Sequence, residues 1–256
     1  MIRHIRIAMI GLSLLLMAGC ATVPRDPAAR AEFKANNDPI EPFNRKVFAL
    51  NLTFDRVLIK PLARGYRWAL PDWIRDMIRH VLANLDEPLV MVNCALQARL
   101  TAAATSGGRF IVNSTFGAGG IADVATNLEM PKQAGDFGQT LWSWHMPEGP
   151  YLVIPIFGPS NPRDTFGQAV DVYLDPIRYE PLNDNYPDAV TTGRIVAGGF
   201  DQRERNLDSL DEIQRESIDY YASLRSLYRQ NRAAELRGEK ASTTLAPAGF
   251  YDDPGR

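Results

Sequence analysis

Between Pro71 and Leu85 the apolar residues fall in groups, Trp73/Ile74, Met77/Ile78, Val81/Leu82 and then Leu85, separated by three and four positions. That is the repeat of one helical face, and Arg75, Asp76 and Arg79 take the other. Pro71 and Asp72 suit the start of such a helix. Elsewhere the chain shows no internal repeat and no convincing ladder of alternating strands. The expected fold class is therefore mostly α, with few or no strands.

The remaining elements follow from punctuation. Pro42, just after Glu41, opens a very apolar helix through Phe43, Val47, Phe48, Leu50, Phe54, Val57 and Leu58, expected to end before Pro61. A second helix is expected from Pro88 to about Thr105, closed by Gly107-Gly108. Arg109–Phe116 is too short and too apolar to assign by period. Residues 117–135 read as glycine-rich loop around a helical piece at Ile121–Asn127, and Asp136–Trp144 as helix. In Tyr151–Phe157, Pro155 argues for an extended or kinked apolar segment over a strand. Arg163–Tyr173 reads as a helix, followed by a Pro/Asn loop to Pro187. From Asp188 to about Gly238 the chain is charged and helical.

The N-terminus limits where this domain can work. Arg3, His4 and Arg6 precede the apolar run Ile7–Met17, which is too short to span a bilayer and has the layout of a signal peptide. It ends Leu15-Leu16-Met17-Ala18-Gly19-Cys20, which resembles a bacterial lipobox, in which the cysteine is acylated. Ala21, where inner-membrane retention would favour Asp, points to the outer membrane. The expected division is 1–19 signal peptide, 20–37 lipidated tether, 38–238 helical domain and 239–256 disordered tail. With Cys20 acylated, Cys94 has no disulfide partner and is expected to be a buried thiol. Several acyl chains, at roughly 0.8 kcal/mol per buried CH₂, make a firm anchor.

Composition removes several function classes. A net charge of −2 over 256 residues lacks the basic excess of a nucleic-acid binder. Two cysteines and three histidines leave almost nothing for a zinc site, and no cofactor is expected. There is no GxSxG elbow, and the only bases outside the signal segment are His80 and His145. Gly117-Ala118-Gly119-Gly120-Ile121-Ala122 fits GxGxxG/A, but no second βα unit accompanies it, so a tight turn between helices is the expectation. Asp123, Asp136, Asp164, Asp171 and Asp175 could supply a carboxylate pair, but with Arg109 and Arg163 in the chain helix caps or ion pairs are the better expectation. The chain is expected not to be an enzyme. Trp142, Trp144 and Tyr151 suit either a headgroup interface or a core. A helix of about 15 residues, about 22 Å long, can reach through one leaflet without spanning the bilayer.

Several stretches then resemble, in order, the MlaA/VacJ family of outer-membrane lipoproteins. Asp38-Pro39-Ile40-Glu41-Pro42-Phe43-Asn44-Arg45 looks like that family's opening DPxExxNR. Asn84-Leu85-Asp86-Glu87-Pro88 with Val92-Asn93 resembles NLxEP…VN. Arg109-Phe110-Ile111-Val112-Asn113-Ser114, Gly117, Gly119-Gly120 and Asp123-Val124-Ala125 are similar to RFxxNSxxGxGGxxDVA. Phe137–Leu141, Gly149-Pro150-Tyr151, Pro155, Gly158 and Arg163-Asp164 fit FGxTL…GPYxxxPxxG…RD. Ser217–Tyr221, Leu224-Arg225, Tyr228 and Gln230 look like SxDPYxxLRxxYxQ.

The resemblance implies a compact ring-like helical domain embedded in the inner leaflet of the outer membrane, on its periplasmic face, beside a trimeric porin. It implies removal of mislocalised phospholipids from the outer leaflet through an amphipathic channel. They would pass to a periplasmic lipid carrier of the MlaC kind and on to an inner-membrane ABC transporter, maintaining lipid asymmetry. Arg109, Asn113, Asp123 and Arg163 are candidates for the polar lining; Asp38, Glu41, Phe43, Asn44, Arg45, Gly149, Tyr151 and Asp164 are further motif positions. Trp142, His145 and Pro147 stand where the family commonly has glycine, which, if their hairpin gates the passage, implies a stiffer or more deeply anchored gate. Tyr220 replaces the usual proline. Two other readings stay open: a porin-associated structural lipoprotein, and a lipid-modifying hydrolase.

Overall fold

The computed structural model describes Asp26, Arg30 and residues 36–179 and 187–238. The expected signal peptide, Cys20, most of the tether and the tail lie outside the described residues.

Helix α1 (Glu41–Phe54) carries Pro42 in its first turn, where a missing N–H costs nothing. It does not end before Pro61. A π-helical turn, Asp55–Ile59, leads directly into α2 (Lys60–Ala69). The Lys60 amide donates five residues back to Asp55, so Pro61 falls where the bonding register is already shifted and its missing donor is tolerated.

The periodic run forms α3 (Asp72–Leu96), 25 residues long, with Pro88 inside it. A break at Pro88 was the expectation, and an interior proline costs about 3 kcal/mol. Tertiary contacts on both sides of the proline offset that cost. Glu87 is tied to Arg109, and Asn93 to Asp171 and Thr140. The chain reverses at Gln97–Arg99, where Ala98 has φ 59°, into α4 (Leu100–Thr115). Gly107-Gly108 therefore lies within α4 and closes nothing. Its role is close approach: a Cβ on Gly107 would sit 2.9 Å from Met91 Sδ, and one on Gly108 2.7 Å from Met130 Cε. Most of the unassigned Arg109–Phe116 stretch is helix. Cys94 is fully buried between α3 and α4 with Val90 and Ala103.

Short α5 (Val124–Asn127) starts three residues later than expected, capped by Asp123. Asp136 caps α6 (Phe137–Ser143) and Asn161 caps α7 (Pro162–Leu174). Between α6 and α7 lies an antiparallel hairpin, β1 (Leu152–Ile154) against β2 (Gly158–Ser160), with Ile154 opposite Gly158. Pro155 sits at its tip, outside the ladder. A 3₁₀ turn, Pro176–Tyr179, precedes α8 (Pro187–Arg205), α9 (Leu207–Glu216) and α10 (Tyr220–Leu236).

The polarity of this assembly is inverted. Among the described residues, 22 buried side chains are polar or charged and 13 are apolar, while 25 large apolar side chains are exposed. In α3 Arg75 is buried and Trp73 and Met77 are exposed, so the helix is amphipathic as its period requires but shows its apolar face outward. No helix among the described residues is long and apolar enough to cross a membrane.

Candidate functional site: buried charge networks behind an apolar surface

Asp38, 1% exposed, joins the two ends of the domain. Its Oδ1 accepts from Asn44 Nδ2 at 2.7 Å, and its Oδ2 from Arg225 Nη1 at 2.8 Å and from the Tyr221 hydroxyl. Arg225 Nη1 also donates to Glu41 at 3.0 Å, and Arg45 bridges Glu41 at 2.8 Å and Asp219 at 2.6 Å. Asn44 reads the backbone of β1, donating to Tyr151 O at 3.0 Å and accepting from Val153 N at 3.0 Å. Asn37 already belongs to this frame: its carbonyl accepts from Tyr151 N, and its Nδ2 donates to Gly149 O. Gly149 has φ 75° and lies against Pro162, which a Cβ would meet at 3.0 Å. Phe43 packs on the cluster of Val47, Phe48, Tyr151, Tyr221 and Tyr228. Asp38, Glu41, Phe43, Asn44, Arg45, Gly149 and Tyr151 thus come together in one place.

Arg109, 2% exposed, is the centre of a second network. It donates to Glu87 at 2.7 Å, to Asp123 at 2.9 Å and to the Met130 carbonyl at 2.6 Å. Asn113 donates to Asp123 at 3.0 Å and accepts from Ala125 N at 2.8 Å. Burial would raise the Asp123 carboxyl, but Thr126, Asn113 and Arg109 outweigh it and hold it at about 2. The glycine-rich run beside this network is the tight turn its context suggested. Gly119 N and Gly120 N donate to the Ser114 and Asn113 carbonyls, so these amides are spent on the helix end and do not cradle a phosphate.

The third network gathers Arg163 and Asp164. Asp164 accepts from Arg163 Nε at 3.0 Å, Arg232 Nε at 2.9 Å and Asn161 Nδ2 at 2.8 Å. Arg232 also reaches Asp136 at 2.8 Å. Burial pushes the Asp164 carboxyl up, and the two guanidiniums more than reverse it.

Two further clusters went unread in the sequence. Arg67, Arg75 and Arg79 converge on Glu204, and Arg79 also pairs with Asp201 at 3.0 Å. Arg194 joins Asp86 to Asp175. The period places Arg75 and Arg79 on the face opposite the apolar one without saying which way it turns; the lipobox-like cysteine and so apolar an opposite face are the signals that it turns inward.

Of the two candidate bases, His80 Nδ1 lies 3.1 Å from the Ile121 carbonyl and His145 sits just past α6 at φ 63°. No group of three His, Cys, Asp or Glu side chains among the described residues is placed to hold a metal ion. The arrangement fixes charge inside and leaves hydrocarbon-compatible surface outside.

Comparison with known proteins agrees with this architecture. The MlaA lipoprotein family profile matches residues 36–235. The chain is 31% identical to the intermembrane phospholipid transport system lipoprotein MlaA of Escherichia coli K12, over 88% of this chain and 86% of that one. It is 32% identical to the Haemophilus influenzae protein of the same name, over 86% of each. It is also 35% identical to an uncharacterized protein of Rickettsia felis, over 78% of each. A solved structure from work on the structural basis for maintenance of bacterial outer membrane lipid asymmetry superposes with a TM-score of 0.67. That match has 31% identity and covers 78% of this chain and 98% of the other. Family profile, relatives and fold converge: this chain belongs to the MlaA lipoprotein family.

Proposed function

We propose that this protein is an outer-membrane lipoprotein of an intermembrane phospholipid transport system. It removes mislocalised phospholipids from the outer leaflet and passes them through an amphipathic channel to an MlaC-like periplasmic carrier, which feeds an inner-membrane ABC transporter. The domain sits in the inner leaflet, anchored through Cys20, beside a trimeric porin. It moves lipid without catalysis.

The observation that carries this reading is the inverted polarity. Described residues that bury 22 polar or charged side chains against 13 apolar ones, and expose Trp68 at 89%, make an exterior suited to lipid and an interior suited to charged headgroups. The names of the relatives supply the cargo, phospholipid, and the direction is part of the proposal. In this reading the motif networks around Asp38, Arg109 and Asp164 are the rigid polar frame of the passage.

The test is deletion of the gene, followed by exposure of intact cells to an external phospholipase that can reach only outer-leaflet phospholipid. Product should rise above wild type and return to it on complementation with the intact gene, but not with Cys20→Ser. No rise in the deletion strain, with the wild-type protein found in the outer membrane of the parent, overturns the transport reading in favour of a structural porin-associated lipoprotein. Loss of complementation in both His80→Ala and His145→Ala, with the proteins folded, would point to a hydrolase.

A further inference from the structure

The tip of the β1–β2 hairpin combines three features that a water-facing turn does not need. Ile156 has φ 71°, a left-handed conformation in which a β-branched residue is strained and for which glycine or asparagine is the ordinary choice. Its side chain is 63% exposed and that of Phe157 is 58% exposed, so the strain does not serve the protein's own core. The backbone around them is capped by one side chain from α1. Asn51 Nδ2 donates to Ile154 O at 2.9 Å, and Asn51 Oδ1 accepts from Ile156 N at 2.8 Å. Between those two atoms, Pro155 has no N–H to satisfy.

Water would satisfy these groups at no structural cost. A turn needs such a side-chain cap when it enters a medium that offers neither donors nor acceptors. The surface beside the tip continues in the same sense, because Leu50 and Phe54, flanking Asn51 on α1, are also exposed. The geometry points to the tip Pro155-Ile156-Phe157 as a wedge inserted among the acyl chains of a lipid leaflet, its backbone sealed by Asn51. The chemistry on offer is two bulky hydrocarbon side chains without a charge between them, which fits acyl chains better than a polar protein surface. This rests on the leaflet reading proposed above.

Ile156→Cys tests it in the full-length chain, with isolated outer-membrane fragments open on both faces and a water-soluble maleimide as probe. The native Cys94 is buried, and the unsubstituted protein supplies the blank. Gln214→Cys, on the charged rim near Lys60 and Asp211, is the water-facing reference. The expected result is labelling of Ile156→Cys at least tenfold slower in membranes than after detergent, with Gln214→Cys labelled in both. Phe157→Cys gives the same reading where Ile156→Cys does not accumulate. Labelling of the tip in membranes at the reference rate overturns the wedge while leaving membrane residence intact. Protection that survives a mild detergent and yields only to denaturant means that a protein covers the tip, and also overturns it. Recovery of the unsubstituted protein in the soluble fraction would instead remove the leaflet reading beneath it.

Discussion

The Asp38 carboxylate faces both the Arg225 guanidinium and the Tyr221 hydroxyl in a site closed to water. Removing one side of a buried charge pair costs about 3–5 kcal/mol, because the other charge is left uncompensated. Asp38→Ala is therefore expected to lose about that much in denaturant unfolding, and Tyr221→Phe only about 1 kcal/mol; equal, small losses would contradict the network. Arg109→Ala should be as costly, since it strands Glu87 and Asp123 together. Unchanged stability with lost transport would make Arg109 a lipid contact and not part of the frame. Asp171 behaves differently. Burial pushes its carboxyl from 3.8 to about 7, with the Phe137 amide and Asn93 opposing. A raised acid holds its proton more tightly in the folded state, so its contribution is present at low pH and falls as pH rises from about 4 to 7. Asp171→Asn should flatten that slope and raise the melting temperature at pH 8; an unaltered profile would assign the slope to other groups. The sequence showed which residues stand in motifs but not who pairs with whom. Asp38 finds Tyr221 across 183 positions, a separation that leaves no local signature.

At the scale of elements, α6 and α7 cross at two glycines. A Cβ on Gly167 would stand 2.4 Å from Gly138 N and 2.8 Å from Gly138 Cα, backbone atoms that cannot step aside. Gly167→Ala should force the helices apart and cost at least about 1–3 kcal/mol, lowering the melting temperature, whereas Gly193→Ala, in open space on α8, should not. Equal effects would deny the crossing. Helical period located the first half of α3, punctuation and apolar content located α1 and α7, and the charged stretch read as helical after Asp188 holds α8 to α10. The errors lie where backbone rules met tertiary contacts. Pro61 follows a π turn, Pro88 is held between Glu87 and Asn93, and Gly107-Gly108 serves helix packing where it resembled a stop. The hairpin escaped because its strands have three residues each, too few for alternation to register, and because Pro155 occupies the tip and not the ladder.

For the molecule as a whole, the pattern of hydrophobicity was readable and its direction was not. Arg75 and Arg79 occupy the polar face their spacing assigns, yet that face turns inward to Glu204 and Asp201 while Trp73 turns outward. Period distinguishes two faces and says nothing about which medium lies beyond either. An exterior carrying 25 exposed large apolar side chains among the described residues needs an amphiphile to cover it. Sedimentation of the mature chain from Ala21, without acyl groups, tests this most directly, in buffer alone and with phospholipid vesicles. Self-association in buffer and co-sedimentation with vesicles as a folded, helical protein are expected. A monodisperse monomer in buffer that ignores the vesicles would contradict that need.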